Sequence, residues 1–280
     1  TIRLRWIVVQ NEYIEVLSRD QKLALKRTID GNLFSKEAVE SPDSLYSFID
    51  KQIASILTTP YRREFHDHYT YRDSEYEDYW EQTNKTVYHF YIHDFKDIYD
   101  EDLKIRFSNE MIPPMQDPHL ADILRDYTIQ IDDELLEYVK TDDGAILKPN
   151  PNNQYLKQNI DVQMDSVPQG NSEKVRIHFS FCLDRRMFEE KNYVLVNMDR
   201  RILLSKDENN LYLIMSYPTK DMMLICEFHS GDYILEGTAF GFEPKSHIKR
   251  FDKNSASIDI KEWIFPGHGA VVTWKKHRST

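Results

Sequence analysis

The chain has 280 residues, 40% of them hydrophobic and 12% aromatic, which is enough apolar surface for a real core and excludes global disorder. Its formal charge of −11 makes a phosphate backbone an unfavourable partner, so nucleic-acid binding is not expected. Two cysteines are too few for a disulfide scaffold, and no stretch approaches the roughly 18 uninterrupted apolar residues of a membrane span.

In chain order the first signal is helical. Trp6, Val9, Tyr13 and Val16 recur at spacings of three and four, which places them on one helical face. That seam is a candidate self-association surface. The alternation of Ile2, Leu4, Trp6 and Val8 keeps a strand open for the first ten residues. Asp30-Gly31-Asn32 stops the helix, and Ser41-Pro42-Asp43 starts a second one whose apolar face is Leu45, Phe48, Ile49, Ile53 and Leu57. Thr59-Pro60 ends it.

The period then changes to two. Val87, His89, Tyr91 and His93 alternate with Tyr88, Phe90, Ile92 and Asp94, which is strand composition. Short strands are expected at 104–107 and 128–138, with a short helix at 119–127 between them. Residues 141–173 are dominated by turn formers and read as a long polar loop, with a brief strand allowed at 160–164. The clearest alternation runs Val175, Ile177, Phe179, Phe181, Leu183 against Arg176, His178, Ser180 and Cys182. Further strands follow at 211–217, 222–228, 233–242, 257–263 and 270–274. Both cysteines, Cys182 and Cys226, fall inside such runs and read as buried free thiols. Strands at this spacing with short polar turns indicate an antiparallel sandwich.

Candidate chemistry is sparse. The chain has no G-x-S-x-G, Walker A or G-x-G-x-x-G run. His66 and His68 share a strand face, as do His89 and His93, and Asp94 lies next to them; these histidines are the candidate ligands of a metal ion. Asp132-Asp133-Glu134 and Glu189-Glu190-Lys191 read as charged strand and loop ends. The basic groups available to a small anionic or nucleotide ligand are Arg176, Arg185, Arg186, Arg200 and Arg201. The basic runs Lys22, Lys26, Arg27 and Lys275, Lys276, Arg278 read as solvated faces. Trp263-Ile264-Phe265-Pro266-Gly267-His268-Gly269, followed by Trp274, reads as strand, turn and closing strand. Its loop either presents backbone N–H groups and His268 to an anion or is a purely structural turn.

The tail from Tyr217-Pro218-Thr219-Lys220 through Trp263-x-x-Pro266-Gly267-x-Gly269 to Trp274 resembles a group of poorly characterised bacterial membrane-associated proteins. Members of that group have short transmembrane hairpins followed by a helical stretch and a cytosolic β-domain. The resemblance covers the last third of the chain. It implies no activity, and it implies membrane association only through a segment outside this sequence.

The sequence thus predicts an α+β chain: a helical region over 1–62, serving as an oligomerisation or anchoring stalk, then a β-rich domain over 63–280 ending in an antiparallel β-sandwich. The expected function is a non-enzymatic sensing or protein-interaction module in the cytoplasm, free or attached to a membrane-associated effector, with no cofactor. The alternatives are a metal-dependent hydrolase built on His66, His68, His89 and His93, and a structural subunit of a larger assembly.

Overall fold

β-branched and aromatic side chains at every second position favour extended backbone when one face is buried, and from residue 60 onward that pattern dominates. The computed structural model describes residues 60–92, 103–111, 120–141, 144–156, 158–169, 172–241 and 247–277. All of these belong to one compact unit made of Pro60–Ile92 and Glu101–Thr280. Of the helical region expected over 1–62, residues 1–59 and with them the seam at Trp6, Val9, Tyr13 and Val16 lie outside the described residues, while Tyr61 and Arg62 belong to a strand.

The strands are β1 (Tyr61–Asp73), β2 (Tyr79–Tyr91), β3 (Leu103–Met111), β4 (Leu124–Ile131), β5 (Glu134–Thr141), β6 (Gly144–Pro149), β7 (Ile160–Gln169) and β8 (Ser172–Leu183). They continue with β9 (Tyr193–Ser205), β10 (Asn210–Ile214), β11 (Thr219–Phe228), β12 (Tyr233–Phe240), β13 (His247–Asp252), β14 (Ser255–Ile264) and β15 (Gly269–Lys276). A four-residue helix, α1 (Leu120–Ile123), precedes β4, and a 3₁₀ turn covers Arg185–Phe188. Among the described residues no helix is long and apolar enough to cross a membrane.

The α+β expectation is corrected here: the described residues are β almost throughout. Two further corrections follow. The segment 141–173 is not a loop: the brief strand allowed at 160–164 is part of β7, and the segment also carries β6 and the start of β8. The β-rich C-terminal part is consistent with a β-sandwich, but the sheet it shares with the rest of the chain is not wholly antiparallel. Twelve strands form one mixed sheet in the order β13-β14-β11-β1-β2-β9-β4-β5-β6-β7-β8-β3, and β10-β15-β12 form a second sheet. Within the large sheet β1 runs parallel to β11, with Tyr69 opposite Cys226, so residues 157 positions apart in sequence are neighbours.

Two irregularities interrupt the regular pairing of this sheet. First, β7 changes partners along its length: Ile160 to Val162 pair with β6, and Gln163 to Gln169 pair with β8. Second, bulges lie side by side on β1 and β11, where Glu64 and Asp221 take φ of 53° and 58°. An extra residue in one strand reverses the parity of everything before it. Phe65, Asp67, Tyr69 and Tyr71 share the buried face, yet the next residue on that face is Arg62 and not Arg63.

The small sheet packs on the large one through aromatic rings. Trp274 sits 5.2 Å from both Tyr71 and Phe228, and Phe228 stacks on Tyr233 at 4.6 Å. Met222, Leu224, Ile258, Ile260 and Val272 are fully buried around them.

Candidate functional site

Strands buried against a sheet normally turn apolar residues inward. The centre of the large sheet breaks this rule. On β2 the inward positions between Trp80 and Tyr88 are Gln82, Asn84 and Thr86, and on β1 Asp67 joins them; all four are buried. Buried polar groups of this kind need hydrogen-bond partners.

They find them in one network. Asn84 Nδ2 and Thr86 Oγ1 both donate to Asp67 Oδ1, each at 2.6 Å. The Tyr69 hydroxyl also bonds to Asp67, and Arg200 donates to that hydroxyl at 3.5 Å. Beside them Gln82 Nε2 donates to the Tyr71 hydroxyl at 2.8 Å. Burial pushes the Tyr69 hydroxyl well above its ordinary value, the Asp67 charge adds to this, and Arg200 opposes it. Burial likewise raises Tyr71 and Tyr127, and it takes Tyr88 up to about 12 against the opposing charge of Arg62. At neutral pH these tyrosines are therefore uncharged donors and acceptors.

The network floors a cavity of about 910 Å³. Its walls come from Tyr127 of β4, Val162 of β7, Lys174, Ile177 and Phe179 of β8, and all of β10 from Asn210 to Ile214. Tyr127 meets Phe179 edge-on at 5.5 Å, which brings β8 over β4. Two guanidinium groups line the cavity. Arg200 lies opposite Asn84, and Arg62 lies opposite Phe90. Six residues of β2 separate these points, about 20 Å at the rise of a strand. Arg62 is held among aromatic rings, 4.7 Å from the centre of Tyr88, 4.9 Å from Tyr217 and 5.4 Å from Phe65. The Nε atoms of Arg62 and Arg200 are both buried without a hydrogen-bond partner.

Of the arginines singled out from sequence, Arg200 alone lines this cavity. Arg176 projects from the opposite face of β8 to Ile177. Arg201 is exposed. Arg185 opens the 3₁₀ turn, and Arg186 is bound to Asp184 at 2.5 Å. His66 and His68 do share a face, but it is the outer one, where His68 pairs with Glu227 at 3.1 Å. His89 pairs with Glu64 at 3.3 Å, and His93 lies outside the described residues. Among the described residues no group of three or more His, Cys, Asp or Glu side chains is placed to hold a metal ion.

The Pro-Gly-His-Gly string forms the turn between β14 and β15. Gly267 N–H donates to Met215 O at 2.9 Å and His268 N–H to Phe265 O at 3.1 Å. These amides are already spent within the fold and are not offered to an anion. The cysteines are free, Cys226 buried and Cys182 exposed, the latter against expectation. Burial pushes the Cys226 thiol far up, so it is no nucleophile at neutral pH.

Sequence reading missed Arg62, Asn84, Gln82, Thr86 and Lys174. A signal was present for three of them: Gln82, Asn84 and Thr86 hold alternate positions in register with the aromatic Trp80, Tyr88 and Phe90.

No protein-family model matches the chain, and no curated protein matches it. Among solved structures, a proposed protease from Parabacteroides distasonis is similar at 9% identity and a TM-score of 0.35, over 78% of this chain and 40% of that one. Leukotriene A4 hydrolase from Saccharomyces cerevisiae is similar at 9% identity and a TM-score of 0.33, over 76% of this chain and 29% of that one. Likeness at this level does not define a shared fold, and this chain spans less than half the length of either protein.

Proposed function

We propose that the chain is a non-enzymatic binding module whose cavity takes a small anionic ligand, a nucleotide being the best chemical fit. One observation carries the reading: Arg62, Arg200 and Lys174 line a single cavity, outnumbering its two carboxylates, Asp67 and Glu208, among neutral hydrogen-bonding groups such as Gln82, Asn84 and Thr86. Guanidinium groups withdrawn from water favour a phosphate or carboxylate partner, which they bind through paired N–H donors. The rings around Arg62 offer a stacking surface for a base, and Asn84 and Gln82 carry the amide groups that read hydrogen-bonding edges. Sensing, in a cytoplasmic or membrane-associated setting, is the role that such a site would serve.

The test is thermal unfolding against a panel of nucleoside mono- and diphosphates, inorganic phosphate and dicarboxylates. A ligand at a hundred times its Kd stabilises the folded state by about 2.7 kcal/mol, and the melting temperature rises accordingly. The Arg200→Gln variant should lose most of that shift. If no anion in the panel moves the melting temperature at millimolar concentration, the reading fails.

A further inference from the structure

The cavity has one wall that is a strand edge. β10 pairs with β15 alone, and among the described residues no strand lies along its other side. Two bonds set the phase of the pairing: Trp274 N donates to Asn209 O, and Met215 N donates to His268 O. In an antiparallel pair such bonds recur at every second residue. Leu211 and Leu213 therefore spend their backbone groups on β15. Asn210, Tyr212 and Ile214 turn their N–H and C=O groups to the free edge.

The side chains add a second, independent sign. Tyr212 is 60% exposed and Ile214 56%, the highest values among the large hydrophobic residues that stand out from the surface. Natural proteins normally protect an edge with charge, proline or a covering element. β10 carries Asn-Leu-Tyr-Leu-Ile, with neither charge nor proline, and among the described residues no strand covers its edge. Behind it lies the cavity of about 910 Å³, lined by the whole strand. A strand added here would send alternate side chains over that space beside Leu211 and Leu213, and the others outward against Tyr212 and Ile214.

We infer that β10 is a β-augmentation site for an extended peptide of another protein, with alternating apolar residues and basic flanks. The basic character follows from charge. This chain carries a formal −11, and exposed Asp207 stands just before β10. The same charge disfavours a second copy of the chain as the occupant. This inference stands apart from the anionic ligand, because it uses backbone edge groups and not Arg62 or Arg200.

Backbone recognition tolerates sequence, so a generic probe suffices. The probe is a synthetic seven-residue peptide of alternating valine and threonine with lysine at both ends. Its binding to the intact chain is followed by fluorescence anisotropy. N-methylation is then moved one amide at a time along the peptide. The expected result has a period of two: methylation at alternate amides weakens binding at least about tenfold, the effect of one lost hydrogen bond, and at the others leaves it within about threefold. Ile214→Lys and Asp207→Lys, both at exposed positions, should each weaken the probe. No binding, or an N-methyl profile without that period, overturns the inference. So does a dimer in sedimentation that Ile214→Lys dissociates, because the edge would then serve self-pairing. A failure here leaves the anion-induced melting shift untouched, and the reverse holds as well.

Discussion

At Gly269 one added carbon decides whether β10 can reach its partner. A Cβ there would overlap the Leu213 carbonyl oxygen, a backbone atom that cannot swing aside. Two positions earlier Gly267 has a φ of 85° and open space around its missing Cβ. The two glycines of one turn are thus required for different reasons. Gly269→Ala should cost roughly 3 kcal/mol or more, since backbone must move. Gly267→Ala should cost about 1–2 kcal/mol, the price of a left-handed conformation in an L-residue. Urea unfolding of both variants checks this, and equal costs would refute the assignment. The turn itself was legible in the residues, since Pro266-Gly267 announces it. The steric demand at Gly269 was not, because it comes from a strand more than fifty positions away. The same holds for Arg62. Counting by twos from Asp67 points to Arg63, and the bulge at Glu64 moves the cavity position to Arg62.

At the scale of the element, β15 is where the small sheet meets the large one. Trp274 is 6% exposed and packs on Tyr71 and Phe228. Trp274→Ala should destabilise by about 3–5 kcal/mol, the usual cost of emptying a buried indole site. Trp274→Phe should recover much of it by keeping a ring against Phe228. Equilibrium unfolding measures both, and an equal loss in the two variants would mean that ring packing is not what joins the sheets. Strands with one buried face were readable in advance. Val175, Ile177, Phe179, Phe181 and Leu183 are all buried on β8, and Met222, Leu224, Cys226 and Phe228 are all buried on β11. β9 offered no such pattern. It runs Ile202, Leu203, Leu204 and Ser205 buried in succession after the charged Asp199-Arg200-Arg201, so its period is broken although it lies between β2 and β4. β6 was hidden differently, because its turn-forming neighbours outweighed the short alternation of Ala145 and Leu147, whereas the start of β7 was allowed at 160–164.

Across the molecule, buried tyrosines set the response to alkali. Tyr69, Tyr71, Tyr88 and Tyr127 are each at most 7% exposed, and burial raises all four, Tyr88 to about 12. In the unfolded chain a tyrosine ionises near pH 10. Above that pH the unfolded state holds fewer protons than the folded one, so stability falls as pH rises. Each such group contributes up to about 1.4 kcal/mol per pH unit, and the four together give a slope that approaches roughly 5.5 kcal/mol per unit about one unit above pH 10. Below pH 9 these groups contribute no pH dependence. Urea unfolding between pH 8 and 11, with tyrosinate absorbance followed in parallel, measures this. A folded protein whose tyrosines all ionise near pH 10 would contradict the burial.

What the sequence determined alone was local. Alternating residues declared strands at β8, β11 and β14, glycine and proline placed turns, and the abundance of apolar and aromatic side chains guaranteed a core. Those signals act over two to four residues and need no knowledge of partners. The tertiary structure decided which strands pair. It set β1 beside β11 in parallel, put β9 between β2 and β4, and turned β7 from one partner to another. Only then do Asp67, Asn84, Arg62 and Arg200 line one cavity, and only then does β10 lie along its rim. A strand's composition says which face it buries. It does not say against what, because that depends on groups far along the chain competing for the same edge.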